Sequence, residues 1–202
     1  MDKLILGLFK FKIYGLVKKI LIALLTIFAV LLFVYLILPT PGKPPSLPDS
    51  LESTEPGDTV QISRVSAYFS QHERDSVVKY YQEKFNEIPS LGIKIPSYRL
   101  NHPPQLAHEK IRGEILSSYF EEVVHPLRGS LFINGWEPEV FLRGNQGAIS
   151  QQAMIIDGTK YSSKATLRPF YSHLWPRLVS YFGILVSVLI LYLISKRIFS
   201  RE

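Results

Sequence analysis

The sequence predicts a membrane protein with two transmembrane helices and one extracytoplasmic α+β domain, ordered β-α-β-α and then antiparallel hairpins. Three observations carry that expectation. The first is Ile20–Leu38, nineteen residues without a charge, proline or glycine, fifteen of them Leu, Ile, Phe or Val. As a helix rising about 1.5 Å per residue it spans roughly 28 Å, close to the hydrocarbon thickness of a bilayer. The second is Leu178–Ile194, seventeen uncharged residues with Trp175 and Tyr181 at the leading end and Tyr192 near the trailing end, aromatic rings of the kind that favour the membrane interface. The third is the stretch between them, where strand-like and helix-like periods alternate with Pro, Asn-Gly and Asp-Gly punctuation.

The charge distribution gives an orientation. Residues 1–19 carry five lysines against one aspartate, and residues 195–202 carry three basic residues against one acid. Residues 49–176 hold thirteen basic and fifteen acidic residues, so the formal charge of +6 belongs to the ends. Basic clusters before the first span and after the second place both termini in the cytoplasm and the central domain outside. The same distribution argues against nucleic acid as a partner, because no basic face lies in the folded part. With no Asn-x-Ser/Thr sequon and a compact length, a bacterial plasma membrane is the expected location.

Residues 1–19 form a basic N-terminus whose lysines divide between two sides of a helical wheel. That suits a first helix extended backward with lysines snorkelling to the headgroups, not a surface helix with one polar face. The first span is then residues 20–38. Residues 39–58 read as a Pro-rich linker, with PTPGKPPSLP followed by acidic, turn-forming DSLESTEPGD. The α+β domain is expected over residues 59–172, the second span over 175–194 and a basic tail over 195–202.

Within the domain, TVQISRVSAYF from Thr59 suits a strand. Ser70 and Glu73 have capping-box spacing, and Val77, Val78, Tyr81 and Phe85 follow at helical intervals, which predicts an amphipathic helix over 71–86. The run 93–100 reads as an edge strand, because Pro96 removes a ladder donor. Pro103 and Pro104 open a second expected helix, 105–124, on the four-residue recurrence of Ala107, Ile111, Ile115, Tyr119 and Val123. Pro126 ends it. Hairpins are then expected at Asn134-Gly135 and Asp157-Gly158.

Catalytic signatures do not assemble. The five histidines, His72, His102, His108, His125 and His173, form no HExxH, and the chain has no cysteine, no nucleophile elbow and no phosphate loop. Glu122 and His125 have Glu-x-x-His spacing, but no second copy exists to complete a two-metal site. No catalytic residue, metal or cofactor is therefore assigned. The binding residues the sequence singles out are Arg128 and Trp136, with His125, because they bracket a short strand between two turns and Trp and Arg are enriched at interface hot spots. The competing reading of Trp136 is ordinary core. Ser180, Gly183 and Ser187 place small residues near one face of the second span, where a neighbouring helix can approach closely. The expected function is a non-catalytic binding or assembly module of the cell envelope. Its partners are the lipid bilayer and a membrane or envelope protein, or a second copy of the chain. The alternative is an envelope hydrolase using histidine and carboxylate groups of the outer domain.

Overall fold

A computed structural model describes residues 2–59, 64–111, 116–137 and 154–199, with only the backbone path described for 2–14, 59 and 199. The chain divides into two units, one formed by its terminal helices and one by Pro39–Ser172.

The terminal unit contains α1 (Asp2–Ile37) and a long C-terminal helix, Leu174–Phe199. Each is long and apolar enough to cross a membrane. The first helix does continue backward through its lysines to Asp2, since nothing in residues 2–19 breaks it. The two helices meet through a few specific contacts. The Tyr181 hydroxyl donates to the Ala29 carbonyl at 2.9 Å, and the Tyr181 ring lies 5.4 Å from Phe33. Arg177 donates to the carbonyls of Leu36 at 3.1 Å and Leu38 at 3.4 Å. Those carbonyls end α1 and have no intrahelical donor, so the arginine caps them from the other helix. Most other side chains point outward, as residues facing lipid do.

The second unit is a mixed helix and sheet domain. Its elements in order are β1 (Leu51–Glu52), α2 (Pro56–Thr59), β2 (Ser66–Ser70), α3 (Arg74–Asn86), β3 (Glu87–Ile88), β4 (Ile93–Lys94) and β5 (Tyr98–His102). A 3-10 turn (Pro104–Leu106) leads into α4 (Ala107–Lys110), followed by β6 (Tyr119–His125), β7 (Gly129–Trp136), β8 (Met154–Ile156), β9 (Thr159–Tyr161) and β10 (Ser163–Tyr171). The C-terminal helix is α5. Six strands pair antiparallel in the order β1-β2-β10-β7-β6-β5. One face packs on α3, where Val77, Val78, Tyr81 and Phe85 meet Tyr68, Tyr119, Val123, Leu131, Ile133 and Leu167. On the other face a smaller cluster joins Ala107 and Ile111 to Phe120.

Several expectations need correction. Residues 39–58 are not a linker. Leu47 is buried in the α3-side core, Tyr80 donates to the Ser46 carbonyl and Tyr171 to the Gly42 carbonyl, both at 2.9 Å. Proline-rich chain loses little further entropy on ordering, and the tyrosine hydroxyls satisfy carbonyls that no ladder pairs. The segment is a strap over the domain.

Among the described residues the expected helix 105–124 is a turn, one short helix and then strand β6, with 112–115 outside them. Residues four apart share a face in a strand as well as in a helix, so Tyr119 and Val123 fit both. The alternation was hidden because the inward residue between them is Glu121. Glu122 and His125, three apart, therefore lie on opposite faces of the sheet and form no shared site. Asn134-Gly135 is no turn but the interior of β7, where Gly135 lies against the Tyr119 ring. The turn joining β6 and β7 is Pro126–Arg128, with Leu127 at φ 63°.

The capping box is also absent: Ser70 ends β2, its hydroxyl lies 2.9 Å from that of Ser163, and α3 starts at Arg74 with no side-chain cap. By contrast, Asp157 and Gly158 do turn β8 into β9, both with positive φ, as a two-residue hairpin requires. The strand residues expected at Val60 and Ile62, and the EVFL strand after Asn134-Gly135, lie outside the described residues.

Candidate functional site

The residues singled out from the sequence do not share one surface. His125 and Arg128 sit in the β6–β7 turn, where the Arg128 amide donates to the His125 carbonyl at 3.0 Å, and each is only 1% exposed. The Arg128 guanidinium donates to the Pro39 carbonyl at 2.5 Å, while its own carbonyl accepts from the Ser172 amide at 3.0 Å. It thus ties together the two ends of the domain's chain. The His125 ring stacks on Phe85 at 4.5 Å, with Nε2 3.0 Å from the Ile95 carbonyl. Burial, with a smaller contribution from Arg128, holds its pKa below the usual imidazole value. Trp136 lies at the far end of β7, eight residues and roughly 25 Å along an extended strand from the turn, half-buried with its indole nitrogen enclosed. Arg128 and Trp136 are therefore not one recognition patch.

On the α3 side of the sheet, β6 places Glu121 at 0% side-chain exposure between two arginines. Arg99 reaches both carboxylate oxygens at 3.0 Å, and Arg74 binds through Nε at 3.0 Å and again through Nη2. Burial pushes the Glu121 carboxyl upward, but the hydrogen bonds from Arg99 and Arg74 outweigh it and hold it below the usual range. Arg74 also lies over the Tyr119 ring at 5.3 Å. A carboxylate engaged by two guanidinium groups on both oxygens is held ionised, and it fixes α3 and β5 to β6. Nearby, burial raises the Glu137 carboxyl, partly offset by the Arg74 amide, which donates to it at 3.1 Å.

The opposite face carries a row of rings. Phe120 and Phe132 stack at 5.4 Å, Phe132 meets Phe170 edge-on at 6.1 Å, and His102 lies 5.5 Å from Phe120. The His102 Nε2 is 2.8 Å from the Glu122 carboxylate. Arg168 lies over Phe170 and donates to the Lys110 carbonyl, anchoring α4 over part of this face. Next to the covered part, Tyr98 (66%), Leu100 (45%) and Phe170 (52%) are exposed. β5 is the outermost strand, and among the described residues nothing pairs with its outer side. An exposed edge bearing Tyr and Leu, with no proline or lysine within it, is a template for another strand.

Comparison with protein-family models, curated proteins and solved structures finds no match. The site must be read from its own chemistry.

Among the described residues no group of three or more His, Asp or Glu side chains is placed to hold a metal ion. In α5, Ser180, Gly183 and Ser187 are exposed; Ser187 donates to the Gly183 carbonyl at 2.8 Å, and the contacts with α1 use Tyr181, Phe182 and Arg177 instead. Sequence reasoning missed the β5 edge as a site, although Pro96 did mark it as an edge. It also missed the cluster at Glu121, whose only sequence signal was a charge at an inward strand parity.

Proposed function

We propose that the chain is a membrane-anchored, non-catalytic binding and assembly module, with its sheet domain on the extracytoplasmic side of a bacterial plasma membrane. The β5 edge is its docking surface. The terminal basic clusters support that orientation, and the two long apolar helices support the anchoring. The observation that carries the binding role is the exposure of Tyr98 and Leu100 on the outermost strand, whose outer side has no partner strand among the described residues. Strand addition at such an edge takes its affinity from main-chain hydrogen bonds and its selectivity from the alternate side chains. The partner is an envelope protein or a second copy presenting an extended segment. A hydrolytic role finds less support, because Glu121 is engaged by arginines, His125 is enclosed, and the His102–Glu122 pair faces a row of rings.

The test is a photoreactive amino acid at position 100 in intact cells, with position 91, an exposed leucine in the β3–β4 turn, as control. A discrete adduct at 100, absent at 91 and lost when Tyr98→Glu is added, is expected. Its mass separates a second copy from another protein. The same diffuse products at both positions would remove the basis for this reading.

A further inference from the structure

The β5 strand is complementary to a copy of itself in one register. Arg99 and Asn101 occupy its face towards α3, and Tyr98, Leu100 and His102 the opposite face. Pro96 and Pro103 flank the strand, and neither has an amide to donate to a neighbour. When two copies pair antiparallel about a two-fold axis perpendicular to the sheet, each face continues as the same face. Directly opposed residues then share parity, so the axis passes through one residue. An axis at Arg99 sets two guanidinium groups against each other, which destabilises the pair. An axis at Tyr98 sets Leu100 against Pro96, one at Asn101 sets Arg99 against Pro103, and one at His102 sets Leu100 against Pro104. Only an axis at Leu100 opposes all five strand residues to strand residues, with no proline and no like charges in the ladder.

We propose, on the reading of the β5 edge as the docking surface, that its occupant is the β5 of a second copy of the chain, with Leu100 opposite Leu100. Tyr98 then lies opposite His102, and Arg99 opposite the neutral Asn101. Arg99 needs no acid from the partner, because Glu121 of its own chain already holds it. On the other face, the two exposed leucines cover each other and each tyrosine ring lies beside an imidazole, the kind of cross-strand pairs that stabilise a ladder. The two six-stranded sheets join into one. An isologous contact of this kind closes at two copies, so the edge is covered without growing a fibre.

The chain contains no cysteine, so a disulfide-linked product of twice its mass comes only from introduced thiols. Full-length single-cysteine variants are oxidised in the membranes of intact cells and separated without reductant. Leu100→Cys is expected to give a linked dimer, since directly opposed Cβ atoms lie about 4.5–5.5 Å apart. Tyr98→Cys and His102→Cys should each give at least fivefold less alone, because like positions are then four residues, roughly 13 Å, out of step along the ladder. Co-expressed, those two variants should give a mixed dimer. Leu91→Cys, at the exposed β3–β4 turn, is the control for collision. Charge supplies a second arm: Leu100→Arg in both co-expressed chains should cut the mixed dimer fivefold or more, and Leu100→Arg in one with Leu100→Glu in the other should restore it. Stronger linkage at 98 or 102 alone than at 100, equal linkage at 91 and 100, or no restoration by the opposite charges overturns the self-pairing. Absence of a Leu100→Cys dimer overturns it too; a discrete photoadduct at 100 with a different protein then leaves the β5 edge as the docking surface, whereas diffuse photoproducts remove both.

Discussion

The two faces of the six-stranded sheet are built on different terms. Towards α3, the buried side chains of helix and sheet pack into one cluster, and Glu121, enclosed on the same face, is held by two arginines. On the opposite face the short helix α4 shields Phe120 and half-covers Phe132, while Tyr98, Leu100 and Phe170 are open to solvent. Single exposed apolar residues are ordinary, but Tyr98 and Leu100 share one face of the edge strand β5, with Phe170 further in on β10. The first face is where the domain's stability resides, and the second is where it has surface to offer. Substitutions on the two should accordingly separate stability from binding.

The largest effect is expected at the ion cluster. Replacing both partners, Arg74→Met with Arg99→Met, leaves Glu121 buried and unpaired, and should destabilise the domain by about 3–5 kcal/mol. Either substitution alone should cost much less, because the remaining arginine still neutralises the carboxylate and the arginines are themselves about a third exposed (37% and 36%). Denaturant melts of the two single variants and the double variant measure this. Additive, small effects would show that the cluster is a surface ornament and blur the contrast between the faces.

Next comes Gly135. A methyl group there would overlap the Tyr119 ring, so Gly135→Ala should cost about 1–3 kcal/mol through displaced packing. Pairing it with Tyr119→Leu should recover part of the loss. If Gly135→Ala is neutral, the close approach between β6 and β7 that defines the stable face is not as described.

A smaller, pH-dependent effect belongs to His125. Its folded pKa lies below the unfolded value of about 6.5, so the unfolded chain takes up the proton first. Stability should therefore be complete above about pH 6.5 and decline as pH falls below it towards the folded pKa. His125→Gln, which titrates nowhere in that range, should flatten this part of the profile while lowering the plateau. Glu121 acts lower on the scale: its depressed pKa gives stability that is present above the ordinary carboxylate range and lost as pH drops through the folded value. An unchanged profile between pH 6.5 and 5 in the His125 variant would show that the stacked imidazole is solvated.

How far the sequence discloses this arrangement depends on what each residue's neighbours reveal. The terminal helices are legible because a long uncharged run has one physical solution. Helix α3 is legible because Val77, Val78, Tyr81 and Phe85 fit period 3.6 and nothing else. Strand β6 was not, since a four-residue recurrence satisfies both periods and the buried charge at Glu121 breaks the alternation that decides between them. Its partners, Arg74 and Arg99, are 47 and 22 residues away, and only the fold brings them to it. The strap misled for a similar reason: proline composition describes the free chain, whereas Leu47, Tyr80 and Tyr171 decide whether it docks. Arg128 and Trp136 bracket only a short strand if Asn134-Gly135 is a turn; that dipeptide lies inside β7, whose full length separates them.

The most direct test of the division between the faces is hydrogen exchange at β5. The full chain, labelled in lipid nanodiscs as purified protein, should exchange its outward-facing amides between Tyr98 and His102 rapidly, while α3 remains protected. Labelled in native membranes before quenching and isolation, the same segment should become protected, with α3 unchanged. Equal, fast exchange of 98–102 in both settings would contradict the claim that this edge is where the protein meets its partner.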